Sequence, residues 1–265
     1  NHDSEDWENL VDLGYDELGD PVIMNRMVYE SDLAILIGHV LGNPYGGYSG
    51  GYKMAATGIT HWRSIAAHHI PAVMHRPDFI PASPHSLMHK KFDAIGQHME
   101  KEMGRKFFMC DAVLDTSMRQ IAIFSGYGKE IQPLSWSEAN QRTYVPWATQ
   151  KFDIMLFGMP VEFHYGNGHG TNPILIQQAI AANIIRHRRV MNERFVVICA
   201  SICNGYFNDE EFPSYREVFE LFHTHYHQTL PDLEKYAEHL CHNEDYIQRY
   251  RYRYGYHPYH AFSMI

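Results

Sequence analysis

The sequence predicts an α/β protein of two lobes, each with a partly parallel sheet, and a cleft between them. Three observations lead there. Strand-length apolar runs recur at 21–25, 33–40, 107–114, 120–124, 152–163 and 195–201. Stretches with helical periodicity separate several of them, at 60–70, 86–104 and 173–188, which is the βαβ grammar of a parallel sheet. Glycine-rich loops stand where strand gives way to helix, at 46–53 and 166–170, and on open α/β sheets that junction is where ligands bind.

The first lobe opens with strands at 21–25 and 33–40, the second read as a buried run, Asp32-Leu-Ala-Ile-Leu-Ile-Gly-His-Val40. The loop Gly46-Gly-Tyr-Ser-Gly-Gly-Tyr-Lys53 follows, and then a helix that carries the pair His68-His69. Four prolines between 71 and 84 predict irregular chain. A helix is expected over 86–104 and strands over 107–114 and 120–124. Residues 126–150 are rich in turn-forming and polar types, so the domain boundary is placed there, dividing 1–130 from 131–265. The second lobe repeats the order: strand 152–163, loop 166–170, helix 173–188 with an apolar face of Ile174, Ala181, Ile184 and Ile185, and strand 195–201. Helices at 215–224, 231–242 and 244–252 are expected to close it. The alternating Tyr250-Arg-Tyr-Arg-Tyr-Gly-Tyr256 reads either as a helix end or as a strand with aromatic and basic faces.

Composition excludes several classes. With 265 residues and a formal charge of −9, the chain can build a sizeable core and carries no basic stripe for nucleic acid. No apolar run reaches the length of a membrane span, and no signal-peptide pattern stands at the start. Four dispersed cysteines, Cys110, Cys199, Cys203 and Cys241, fit a reducing cytoplasm, with Cys199 and Cys203 expected as buried thiols in an apolar run.

The 46–53 loop fails both familiar glycine motifs. Tyr52 precedes and Met54 follows the lysine, so no hydroxyl is placed for magnesium as in a P-loop, and the glycine spacing does not produce G-x-G-x-x-G. Two readings stay open from the residues alone: a turn whose lysine is merely solvated, or a loop that holds one amine against a ligand. Adjacent histidines are likewise either surface residues or ligands.

The segment 32–53, with Thr57-Gly58-Ile59 and His68-His69, resembles the lactate racemase family of nickel-pincer nucleotide enzymes. The family pattern is a strand, a G-[FY]-S-G-G-x-K loop, a P-G-I-like step and a histidine sixteen residues after the lysine, an offset kept here by Lys53 and His69. Residues 1–11 and 21–25 also resemble the family, and 170–181 less closely.

The resemblance implies a cofactor cleft and a nickel(II) complex of pyridinium-3,5-bisthiocarboxylic acid mononucleotide, attached covalently through Lys53. It implies His69 as the protein's nickel ligand, with Gly47, Ser49, Gly50, Gly51 and His68 against the cofactor. Neutral imidazole suits Ni(II). The implied partners are a small hydroxy acid substrate and the proteins that synthesise the cofactor. The implied reaction is racemisation or epimerisation by reversible hydride transfer.

Departures bear on the substrate. Where the family has a general acid/base histidine ten residues before the lysine, this chain has Asn43, which hydrogen-bonds but exchanges no proton at neutral pH. The family's glutamine matches Gln177, while its substrate-contacting lysine matches the aliphatic Ile180. A hydroxylated acid other than lactate is therefore expected. His39, His164 and His169 are the candidates to replace the missing base, with Asn43 and Gln177 left to contact substrate. Both ends read as cut, and the resemblance implies an upstream segment with a substrate-binding arginine and another catalytic histidine. Two alternatives remain: a histidine-ligated metalloenzyme without the nucleotide, and a relative that binds the cofactor without racemase activity.

Overall fold

The computed structural model of the protein describes residues 1–43, 46–70, 73, 83, 85–143, 149–159, 162–163, 166–167, 171–210, 214–225 and 243–245. The chain divides into two compact units, Asn1–Val145 and Pro146–Ile265. Both mix helix with strand, as the α/β expectation requires, and each holds one parallel strand pair.

In the first unit, β1 (Leu10–Tyr15) and β2 (Pro21–Asn25) form an antiparallel hairpin. Its turn is held by Asp16, whose carboxylate accepts from the amides of Leu18 and Asp20, 2.9 Å each. A short helix, α1 (Arg26–Glu30), follows, capped by the side chain of Asn25. β3 (Ile35–His39) lies parallel to β6 (Phe108–Leu114), and β6 is antiparallel to β7 (Gln120–Tyr127), giving the order β3-β6-β7. Between β3 and β6 come the small β4 (Gly42–Asn43) and β5 (Gly47–Tyr48) pair, then α2 (Tyr52–Gly58), α3 (Trp62–Ala67) and α4 (Leu87–Met103).

The longest of these, α4, has clear sequence causes. Ser86 caps its start by accepting from the amide of His89, and Gly104 ends it at φ +67°, where the amides of Gly104 and Arg105 return to the last carbonyls. Met88, Phe92, Ile95, Met99 and Met103 form its buried stripe. Burying a side chain the size of Phe92 or Met99 is worth roughly 1.5–3 kcal/mol.

The sheet buries one face and exposes the other. Met109, Asp111 and Val113 of β6 point inward, and Val113 packs with Val40, Tyr48 and Ala139. On the opposite face Ile35, Ile37, Ile121 and Ile123 are exposed, Ile37 by 79%.

Residues 126–150 were expected to be turn-rich. Instead α5 (Gly128–Thr143) runs through most of them and belongs to the first unit. Its polar composition hid it: only Gly128, Ile131, Ser135 and Ala139 are buried, at a spacing of three to four residues, and Pro133 stands inside the helix. The helix expected over 60–70 is found in shorter form as α3, and a second short helix, α2, precedes it. The junction between the two pairs with β2 through the Met24–Thr60 bridge and the bond from His61 N to Ile23 O.

In the second unit, β8 (Phe152–Gly158) and β11 (Met191–Ala200) are parallel and joined through α6 (Pro173–His187), the βαβ arrangement the sequence predicted. Asn172 caps α6 by accepting from the amide of Ile174, with Pro173 in the first turn. β9 (Glu162–Phe163) and β10 (Gly166–Asn167) pair antiparallel, and α7 (Ser214–His225) follows. Cys199 and Cys203 were expected buried. Cys199 is half-buried and Cys203 exposed, because β11 also packs only one face and the chain turns out at Cys203 with φ +45°. The expected helices at 231–242 and 244–252 and the 250–256 run lie outside the described residues, apart from 243–245.

Candidate functional site

An open concavity of about 200 Å³ lies at the end of β3, lined by Ile37, Gly38, His39, Ser49, Gly50, Lys53, Met54 and Thr57. This is the strand-to-helix junction that the sequence marked. Gly38 lets α2 come close, since a β-carbon there would collide with Met54. Lys53 was read as the last residue of a loop, but it stands in the first turn of α2, on the cavity wall. Its neighbour Tyr52 is buried against Gly96 of α4 and donates its hydroxyl to Glu100 across 2.9 Å. That anchor fixes how α2 is rolled, and hence where Lys53 points. Burial lowers the pKa of the Lys53 amine below its ordinary 10.5.

The loop residues are tied down individually. Ser49 Oγ accepts from Leu41 N at 2.9 Å and donates to the carbonyl of His39 at 2.9 Å, joining the loop to the end of β3. Gly47 pairs with Asn43 across the β4–β5 turn at φ +82°. Asn43 Oδ1 accepts from the amide of Gly46 across 2.9 Å, so the Asn43 side chain holds this turn. Gly50 and Gly51 both have positive φ, +83° and +55°, and the amide of Gly51 donates to Asp111 Oδ1 at 3.1 Å. Asp111 was not among the residues singled out from the sequence, although an acid in the inward register of an apolar strand was a readable signal.

The histidine pair follows α3. His68 is its C-cap, fully buried, with rings of His69 at 4.7 Å and Phe92 at 4.9 Å. Among the described residues neither ring nitrogen of His68 has a hydrogen-bond partner. Burial, then the neighbouring His69, pushes its pKa well below 6.5, so it is neutral. His69 Nδ1 lies 2.8 Å from the carbonyl of Ile65. A carbonyl only accepts, so Nδ1 carries the proton and Nε2 keeps its lone pair, the usual second-shell arrangement of a metal-binding histidine. Burial also lowers the His69 pKa, with the charge of Lys53 acting in the same direction. Neither His68 nor His69 lines the concavity that holds Lys53.

The remaining candidates are spread. His39 lines the concavity with an exposed side chain. Gln177 is exposed on α6 in the second unit, and Ile180 lies one turn along. His164 and His169 fall outside the described residues.

Residues 1–79 match the family described as the lactate racemase N-terminal domain. The lactate racemase of Lactiplantibacillus plantarum is 28% identical over 125 residues, which cover 47% of this chain and 28% of that protein. The chain shares family-level homology with lactate racemase. Two solved structures share the fold. The lactate racemase apoprotein from Thermoanaerobacterium thermosaccharolyticum gives a TM-score of 0.66 at 18% identity, over 99% of this chain and 56% of that one. A protein from Thermotoga maritima gives 0.61 at 15% identity, over 100% and 62%. The chain thus spans little more than half the length of these two solved chains, and its match covers about a quarter of the curated relative.

The residues present fit the cofactor that the resemblance to lactate racemase implies. Among the described residues, no three His, Cys, Asp or Glu side chains stand together to hold a metal ion by themselves. A group that brings most of its own donors needs less: one amine to tether it and one imidazole with a lone pair. Burial moves Lys53 and His69 towards their neutral forms, which those tasks require, and His69 has Nδ1 on the Ile65 carbonyl.

Proposed function

We propose that the chain carries the cofactor-binding part of a racemase or epimerase acting on a 2-hydroxy acid or a related sugar or polyol acid. In this reading Lys53 tethers a nickel-pincer nucleotide and His69 completes its metal coordination. One observation carries it: an amine with lowered pKa begins a helix on the wall of a concavity, and the histidine sixteen residues on keeps Nε2 as an acceptor because Nδ1 is committed to Ile65.

When bound, the cofactor supplies a reversible acceptor for the hydride on the substrate's hydroxyl-bearing carbon. The protein's own part is tethering, orientation and proton handling. The Lys53 amine, shifted towards its neutral form by burial, is the form that bonds to an acyl or thioacyl carbon. Gly47, Gly50 and Gly51 bring backbone close without side chains in the way, and Ser49 locks the loop to β3. His68, fully buried, offers a neutral imidazole beside His69. The base assigned to the hydroxyl proton is His39, the histidine on the cavity wall. Loading by the cell's cofactor-synthesis proteins in the cytoplasm belongs to the same proposal.

A second reading is a relative that holds the cofactor without racemising. Its support is Asn43, whose side-chain oxygen is engaged by the Gly46 amide. Intact-mass measurement of protein from cells that make the cofactor separates the outcomes. A nucleotide adduct that disappears in Lys53→Ala is expected, and wild-type protein without the adduct sinks both readings. Following optical rotation of a panel of 2-hydroxy acids with loaded, full-length protein then divides an active racemase from a silent relative.

A further inference from the structure

We propose that Asp111 is a positioning residue for the Lys53 amine, which deepens the reading of Lys53 as the tethering group and rests on it. Asp111 lies in the middle of β6, faces inward and is 1% exposed. Its Oδ1 accepts from the amide of Gly51 at 3.1 Å, and its Oδ2 accepts from Ser135 Oγ at 3.3 Å. The inward residues on either side of it, Met109 and Val113, are apolar. A carboxylate in that register is unfavourable unless its hydrogen bonds serve something.

They serve the turn that starts α2. Gly51 is the N-cap of α2, and no side-chain bond of its own closes the cap. Gly50 and Gly51 hold φ of +83° and +55°, a conformation that leaves the Gly51 amide pointing into the protein. Without Asp111 that amide would be a buried donor with no acceptor, and the turn would open to satisfy it. The fit is close: a β-carbon at Gly50 would stand 2.6 Å from Asp111 Oδ1. Lys53 lies two residues beyond Gly51, in the first turn of α2, so any change in the turn rotates its side chain away from the concavity. Ser135 of α5 completes the clamp, so one carboxylate ties strand, loop and helix together. Burial raises the Asp111 pKa, and the bonds from Gly51 and Ser135 act against that rise.

The test uses a generic amine reagent, trinitrobenzenesulfonate, on the whole chain, with modification read peptide by peptide by mass spectrometry. Exposed Lys101 serves as the rate standard, and Lys91, buried on Asp20, reports that the fold is intact. In Asp111→Ala the Lys53 midpoint should move up towards 10.5 and its labelling at neutral pH should slow about tenfold relative to Lys101, with Lys91 still protected. Asp111→Asn keeps an oxygen for the Gly51 amide and should restore most of the rate. Wild-type rate and midpoint in a folded Asp111→Ala overturn the proposal. If Asp111→Ala does not fold, Ser135→Ala decides: slower Lys53 labelling supports the clamp, and unchanged labelling overturns it. No cofactor enters this experiment, so an absent nucleotide adduct on wild-type protein defeats the tethering assignment while leaving the clamp result standing.

Discussion

Tyr52 and Glu100 join α2 to α4 by a 2.9 Å bond from phenol to carboxylate, and the other oxygen of Glu100 accepts from the amide of Phe107 at 2.9 Å. The residue next to the candidate tethering lysine is thereby fixed to α4, the long helix packed against α2. Gly96 makes the contact possible, because a β-carbon there would collide with the Tyr52 ring. Burial, and then the charge of Glu100, holds the phenol protonated by raising its pKa.

Gly96→Ala should therefore destabilise the first unit although it adds a better helix former. Overpacking of this kind costs about 1–3 kcal/mol. Urea unfolding of the variant measures the loss, and a gain in stability would show that Tyr52 has room to move.

The Lys53 amine should react at lower pH than the chain's exposed lysines. Its folded pKa lies below 10.5, so the neutral amine appears earlier as pH rises. A pH series of acylation followed by peptide mass spectrometry reads the midpoint, with exposed Lys101 as reference. Coincident midpoints for the two lysines would contradict the placement.

His69→Ala in cofactor-loaded protein should lower retained nickel by at least about tenfold, the scale on which even outer-shell changes act. Elemental analysis after dialysis gives the metal content per chain. The Lys53 adduct should persist in the same sample, because tether and metal ligand are separate residues.

The first unit should lose stability as pH falls below about 6.5, the ordinary histidine value. The sign follows from His68, whose folded pKa is depressed by burial. Between the depressed and the ordinary value the unfolded chain binds the extra proton, so acid favours unfolding, and the contribution is fully present only above the ordinary value. Thermal melts of wild type and His68→Leu across pH 5–8, a range set by that histidine value, should differ in slope, with the variant flatter. Parallel slopes would show that His68 is not the titrating group.

Lys91 and Asp20 form a buried pair, with Nζ 2.7 and 2.5 Å from the two oxygens. Burial still raises the Asp20 pKa, outweighing the opposite pull of the Lys91 hydrogen bond. Removing one partner strands a charge, so Lys91→Met should cost about 3–5 kcal/mol. The double variant Asp20→Leu with Lys91→Met should recover much of that loss in a denaturation cycle. A double variant no better than the single would mean the pair stabilises on balance.

Much of the fold was legible because local chemistry and burial agree. Ser86 and Gly104 bracket α4, Asn172 and Pro173 open α6, and the alternation through 108–114 marks a strand packed on one face. The failures have physical causes. α5 was read as turns because only four of its residues are buried and Pro133 interrupts it, while the hairpin partner β1 went unnoticed because its pattern is broken by Asp12 and Gly14. Ile35, Ile37, Val196 and Ile198 read as core, yet they lie on exposed sheet faces, since apolar character does not say which side of a sheet is covered.

By itself the sequence determined the chemistry available: a glycine loop, one lysine, a histidine sixteen residues on, and an asparagine where an acid/base histidine was expected. Those are properties of residue type and spacing, which the linear chain carries in full. Only the tertiary structure decided that the lysine sits in a helix rather than a loop, that Nδ1 of His69 is committed to Ile65, and that Asp111, sixty positions away, holds the Gly51 amide. Burial and hydrogen-bond partners depend on which distant segments meet. Protonation state and side-chain direction follow from those meetings.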